Sequence, residues 1–187
     1  MTMQLSNAAK DQVTSEYLDL AGNYPVLGER EYSDIDAAVK DKEYSGVIDL
    51  YASIISHAVS KQLKTGLYRE YIRKKDDLTV MHGTMDIRGT VRNRLERKYL
   101  ISCESDELSE NNPFNRMLKT TMMFLLRRNE VRPETRTELK KQILAFSQIE
   151  TSDAGMIDWK RLMDRRSSGS MIMLAQVCRR TLEWQRE

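Results

Sequence analysis

The Asn112-Pro113 pair splits this chain into two regimes. Asn is a good helix N-cap, and Pro at the next position starts a helix without cost, because the N–H it lacks would have no intrahelical partner there. Beyond it, Phe114, Met117, Leu118, Thr121, Leu125 and Leu126 recur at helical spacing and form a face to bury. Arg127 and Arg128 are expected in the last turn, where cations suit the negative end of the helix dipole. A second helix is expected from Pro133 through Leu139, Ile143 and Phe146. After a polar connection over 148–155 and a short turn over 157–163, a last helix runs from Ser170 to Trp184, with Met171, Leu174, Ala175, Cys178 and Leu182 inward.

Upstream of Asn112 the patterns are mixed. From Tyr44 to Lys64, Val47, Leu50, Ile54, Ala58 and Leu63 make one apolar stripe on a helix, and Gly66 is its expected C-cap. Leu67 to Lys75 alternates and holds β-branched and aromatic residues, which predicts a strand, with Asp76-Asp77 as the turn that closes it. A second extended segment is expected at Thr79–Met81, a short helix over Asp86–Arg94, a strand over Lys98–Glu104, and then an acidic loop to Asn112. Residues 1–42 are the least legible, a poorly defined N-terminal segment with an acidic run from Glu29 to Asp36. The expected fold is therefore α+β: a mostly helical domain over 43–187, with a small antiparallel β-hairpin or sheet at about 67–104 inserted between helices.

At 187 residues, 40% hydrophobic and 31% charged, the chain has material for one domain with a sizeable core. No apolar run approaches the roughly 18 residues of a membrane span, and the N-terminus does not read as a signal peptide, so a cytoplasmic protein with no membrane partner is expected. Cys103 and Cys178 have no Cys or His at metal-ligand spacing and read as buried thiols. The net charge of +2 conceals a division: residues 1–50 hold four basic and ten acidic side chains, residues 61–99 eleven basic and five acidic. Such alternation suits a protein that offers separate acidic and basic faces, although plain solvated helix faces produce it too.

A search for chemistry yields little. His57 and His82 are the two histidines, and His57, inside a helix, reads as a surface or satisfied core residue. There is no GxxxxGK[ST] loop and no GxGxxG after a strand, so nucleotide binding by this chain is not expected. A metal-dependent nuclease needs clustered carboxylates with a lysine beside them. Glu104, Asp106 and Glu107 cluster, but the next lysine, Lys119, falls in a helix; a solvated or Arg-paired loop is expected, with no metal and no catalytic residues. The basic segment carries more. Arg69, Arg73, Lys74 and Lys75 lie near Tyr68 and Tyr71, followed by Arg88, Arg92, Arg94, Arg97 and Lys98, a composition that neutralises phosphates while rings stack, and that also occurs at protein interfaces.

Two stretches go beyond composition: GLYREYIRKKDDLTVMHGTMDIRGTVRNRL at 66–95 and CESDELSENNPFNRMLKTTMMFLLR at 103–127. In order and spacing they resemble the paired signatures of the McrC family, subunits of 5-methylcytosine-specific McrBC restriction systems. Gly83, Asp86, Arg88 and Thr90 fall on the first signature. Cys103, Glu104, Asp106, Glu107, Ser109, Asn112, Pro113, Asn115 and Arg116 fall on the second. Thr84, Ser105, Leu108 and Asn111 depart from the usual arginine, tyrosine, phenylalanine and aspartate. The resemblance covers about residues 25–187 and implies a non-catalytic accessory subunit that binds a McrB-like AAA+ GTPase and handles DNA. GTP and Mg²⁺ would be bound by the partner, and the family's nuclease domain is expected beyond residue 187. The contacts to GTPase or DNA would be drawn from Arg69, Arg73, Lys74, Lys75, Arg88, Arg92, Arg94 and Arg97. Asn115 and Arg116 read as structural hydrogen-bonders at least as readily as interface residues. Two alternatives stay open: a Mg²⁺-dependent restriction endonuclease subunit completed by that further domain, and a stand-alone DNA-binding regulator.

Overall fold

The structure, a computed structural model, describes Gln12, Ser15, Glu16, Asp19 and residues 44–164 and 168–184. Along them run α1 (Val47–Thr65), β1 (Glu70–Leu78), β2 (Thr84–Met85), α2 (Ile87–Leu95), β3 (Ile101–Ser109), α3 (Pro113–Leu126), α4 (Pro133–Gln142), α5 (Trp159–Leu162) and α6 (Gly169–Glu183), with 3₁₀ turns at Ile143–Phe146 and Ala154–Met156. The fold is α+β, mainly helical, with a three-stranded antiparallel sheet inserted in the chain between α1 and α3. Two compact units result, a helical one from residues 1–67 and 113–187 and a sheet one from 68–112. The expected boundary at 42/43 and the acidic run 29–36 lie outside the described residues.

The helical unit is organised around α1. Every residue from Val47 to Ser56 is buried, so this half of the helix is covered all round rather than along the single stripe its spacing suggested. Helices α3, α4 and α6 pack against it. Leu50, Ile55, Val59, Met117, Leu118, Met122, Leu125, Leu139, Phe146, Val177 and Cys178 form the interior, and each large apolar side chain taken from water contributes about 1.5–3 kcal/mol. Gly66 ends α1 at φ 96°, a left-handed conformation that glycine takes without strain. Helix α3 starts at Pro113 as expected but ends at Leu126. Arg127 and Arg128 therefore follow the last turn, their N–H groups donating to Phe124 and Leu125 carbonyls, with the Arg128 guanidinium 4.6 Å from the Phe124 ring centroid. Ser168 caps α6 by accepting from the Met171 N–H.

The sheet unit differs from expectation in its boundaries. β1 does not turn at Asp76-Asp77; it continues to Leu78, paired with β3 over nine residues from Glu70↔Ser109 to Leu78↔Ile101. Asp77 stands opposite Ser102, and the polar Asn93 and Ser102 side chains near it hold its carboxyl below the ordinary 3.8. The expected acidic loop is the second half of β3, the central strand of the order β1-β3-β2. Thr79–Met81 forms no strand; the short partner is Thr84–Met85, opposite Glu104 and Cys103. Gly83 makes this pairing possible: its φ is 75°, and a Cβ there would sit 2.3 Å from the Glu104 carbonyl oxygen.

Candidate functional site

The register of β1 against β3 sets basic residues opposite acidic ones. Arg73 faces Asp106 directly, with 3.9 Å between their charged groups, and Lys75 faces Glu104 at 3.8 Å. On the other face Lys74 reaches Asp76 at 3.2 Å and, diagonally, Glu107 at 3.6 Å. Arg69 pairs with Glu110 at 2.7 Å. All four basic residues expected from this segment thus stand beside carboxylates, and Arg69, Arg73 and Lys74 find theirs in the acidic stretch that was read as a loop. These pairs are exposed, so each is worth little in stability. They nonetheless compensate the charge that would otherwise draw phosphate.

Helix α2 is built differently. Asp86 caps it, its side chain accepting from the Arg88 N–H at 3.1 Å while its own N–H donates to the Ser102 carbonyl at 2.7 Å. Lys75 also pairs with Asp86, and together with the Gly89 and Arg88 N–H groups it lowers the Asp86 pKa. Thr90 Oγ1 donates to the Asp86 carbonyl and accepts from the Ser102 N–H, while Gly89 lets the helix approach β3 so closely that a Cβ would lie 2.4 Å from Ser102 Oγ. The residues turned to the sheet are therefore Gly89, Thr90 and the buried Asn93. Arg88, Arg92, Arg94 and Arg97 are exposed, and among the described residues no carboxylate forms an ion pair with any of them. Arg94 lies 5.5 Å from the Tyr99 ring centroid, and Arg92 is near enough to Lys75 and Glu96 for both to feel its charge.

Other motif positions serve the folds of their own units. Asn112 is fully buried and donates to the carbonyls of Tyr68 and Ser109, closing the two ends of the sheet unit. In the helical unit, buried Asn115 accepts from Gln62 and ties α3 to α1, and Arg116 pairs with Glu150 at 2.8 Å. His57 and His82 are both exposed. One polar cluster escaped the sequence reading: Tyr51 donates to Glu16, and Arg180 pairs with Glu16 and Asp19, in a cleft of about 400 Å³ also lined by Glu183 and Trp184. Burial and then Glu16 raise the Tyr51 pKa. Residues 164 apart meet there, so no local spacing announced it. Among the described residues no group of three or more His, Cys, Asp or Glu side chains is placed to hold a metal ion, and no helix is long and apolar enough to cross a membrane.

Against this geometry stands one decisive comparison. The profile of the family described as "McrBC 5-methylcytosine restriction system component" matches residues 24–185. This chain belongs to that McrBC family. No curated protein matches the chain. Two solved structures share its fold, the Thermococcus gammatolerans McrBC complex and the half-complex from a tetradecameric assembly of Thermococcus gammatolerans McrB AAA+ hexamers with bound McrC. Each has a TM-score of 0.64 and 17% identity over 89% of this chain. The McrBC-family chain described here spans 49% of the matched chain in the first and 39% in the second.

Proposed function

We propose that this chain is a McrC-like accessory subunit of a 5-methylcytosine-directed DNA restriction system, which binds a McrB-like AAA+ GTPase and handles DNA. GTP and Mg²⁺ belong to the partner, and the residues described here act through their surfaces. The family match over residues 24–185 carries the reading. The distribution of charge supports it: the cations of β1 are matched by carboxylates, whereas Arg88, Arg92, Arg94 and Arg97 present positive charge without an ion-pair partner among the described residues. Uncompensated arginines at a surface bind either phosphate or protein carboxylates. Arg69, Arg73, Lys74 and Lys75 take second place, since a phosphate must first displace a carboxylate from each.

The test mixes the purified chain with a McrB-like AAA+ GTPase and measures GTP turnover and co-migration. Stimulated turnover with co-migration is expected, and R88A/R92A should reduce the stimulation or the retention of DNA while leaving thermal unfolding unchanged. Absence of both stimulation and co-migration sinks the reading. DNA binding without any GTPase, weakening linearly with the logarithm of salt, would instead make the chain a stand-alone regulator.

A further inference from the structure

Helix α2 is amphipathic, and its apolar side faces outward. Ile87, Val91 and Leu95 recur at every fourth position, which places them in one row about 12 Å long. They are 69%, 52% and 82% exposed, while the side of the helix against β3 carries Gly89, Thr90 and Asn93. Burying an Asn and exposing a Leu is the reverse of what solvent favours, so a surface that covers the row would stabilise the arrangement further. The enrichment extends to the whole sheet unit. Of the thirteen large hydrophobic residues exposed among the described residues, ten lie between Tyr68 and Leu108, including Val80, Met81 and Met85 just ahead of α2. Cys103 is the buried apolar side chain of this unit, so its exposed apolar surface is not the fringe of a core.

The charges around the row select what covers it. Arg88, Arg92 and Arg94 interleave with Ile87, Val91 and Leu95, and Arg97 follows. A second copy of α2 laid against the first about a two-fold axis would set these arginines against their equivalents, which like-charge repulsion opposes. A DNA backbone would satisfy the arginines but leave the aliphatic row facing phosphates, with no apolar surface to bury. A protein groove with an apolar floor and carboxylates along its rim satisfies both at once.

We infer that α2 is a docking ridge which inserts Ile87, Val91 and Leu95 into an acid-rimmed apolar groove of the GTPase subunit, with Arg88, Arg92 and Arg94 pairing to the rim. The identity of the partner rests on the function proposed above; the ridge and the chemistry of its groove rest on the exposure and charge of α2. The row sets affinity, because aliphatic side chains at the centre of an interface are fully desolvated. The arginines set the rate of encounter and its dependence on salt.

The test measures the affinity of the full chain for the McrB-like GTPase, and separately for duplex DNA, with wild type, V91D/L95D, L95S and L144D. Leu144 is an exposed leucine of the helical unit and serves as the control. V91D/L95D should weaken GTPase binding by about tenfold or more, L95S should weaken it less, and L144D should not change it. L95S, a neutral change at the exposed end of the helix, keeps the test readable if the double variant unfolds. Wild-type affinity in both α2 variants overturns the ridge and leaves the proposed function standing. Loss of DNA retention with GTPase binding intact reassigns α2 to nucleic acid, and loss of self-association with GTPase binding intact reassigns it to a second copy; both overturn the inference. A wild-type chain that does not bind the GTPase overturns the function and the assignment of the ridge together.

Discussion

Asp49 has no exposed surface, yet it is a carboxylate in the first turn of a helix. Its oxygens accept from the N–H groups of Ser45 and Arg132, and the Arg132 side chain lies 2.7 Å away, itself within 5.0 Å of the Tyr44 ring centroid. One residue thus ties the start of α1 to the approach to α4, across 83 positions of sequence. Removing one partner of a buried pair costs about 3–5 kcal/mol, because the other charge is left without compensation. Arg132 retains some solvent, with 26% of its side chain exposed, so Asp49→Ala should cost about 3 kcal/mol, at the lower end of that range. Urea denaturation of the variant measures it, and a loss below about 1 kcal/mol would show that the pair is not what holds this junction. In the sequence Asp49 reads only as an acid near a helix N-terminus. Its burial comes from α4 arriving above it, which no local pattern records. Cys178 shows the opposite case: an inward position on the expected stripe of α6, its thiol is pushed up to about 12 by the burial that the spacing implied.

At the scale of elements, α2 supplies a test with an unusual sign. Glycine within a helix is normally weaker than alanine by about 1 kcal/mol, so Gly→Ala is a routine stabilising change. At Gly89 the new Cβ would meet Ser102 Oγ at 2.4 Å, Ser102 Cβ at 2.6 Å and Asp86 Oδ2 at 2.8 Å. The helix must then move off β3, taking the Thr90 and Asp86 hydrogen bonds with it. G89A is expected to destabilise by about 1–3 kcal/mol, the usual cost of overpacking, with the loss seen first in hydrogen exchange at Ser102 and Thr90. A stabilised variant would mean that α2 does not seat against the strand as described. The existence of α2 and its Asp86 start are legible in the sequence, and so is the fourfold spacing of Ile87, Val91 and Leu95. Which side of the helix faces the sheet is not, since a hydrophobic period fixes a direction on the helix without saying what lies along it.

For the whole molecule, the two units respond differently to acid. Asp77, Asp86 and Glu96, all in the sheet unit, have carboxyls held below their ordinary values of 3.8, 3.8 and 4.5, chiefly by the side chains of Asn93, Lys75 and Lys98 respectively, with further help from their neighbours. A carboxyl lowered on folding binds fewer protons in the native than in the unfolded state, so its contribution is complete above the ordinary value and is lost as pH falls through the lowered one. Opening of the sheet unit should therefore increase as pH drops below 4.5. Both tryptophans, Trp159 and Trp184, lie in the helical unit, so their fluorescence reports on that unit while hydrogen exchange over 70–109 follows the other. Lower protection against exchange there, relative to the intrinsic rate at each pH, with unchanged fluorescence is expected as pH falls below 4.5. Simultaneous loss of both signals would contradict it. At the alkaline end no such separation is expected: the raised Lys74, Lys75 and Lys98 lose their contribution above 10.5, and buried Tyr44 and Tyr51 of the helical unit, raised mainly by desolvation, lose theirs above 10.0.

Caps, proline positions and hydrophobic spacing are local quantities, and what depends on them was readable: the starts at Pro113, Pro133 and Asp86, the stop at Gly66, the α+β class, and two long motifs distinctive enough to suggest the family. Strand ends and charge balance are not local. Whether Asp76-Asp77 is a turn or the end of a strand depends on Cys103 and Ser102 lying opposite, and whether Arg73 is free for a phosphate depends on Asp106, thirty-three positions away. The sequence by itself determined where the long helices lie and how much positive charge the inserted segment holds, while the short helix Trp159–Leu162 was read as a turn. Only the tertiary structure decided which of that charge is cancelled and which apolar face is left outward, because an antiparallel register chooses each residue's neighbour from a distant part of the chain.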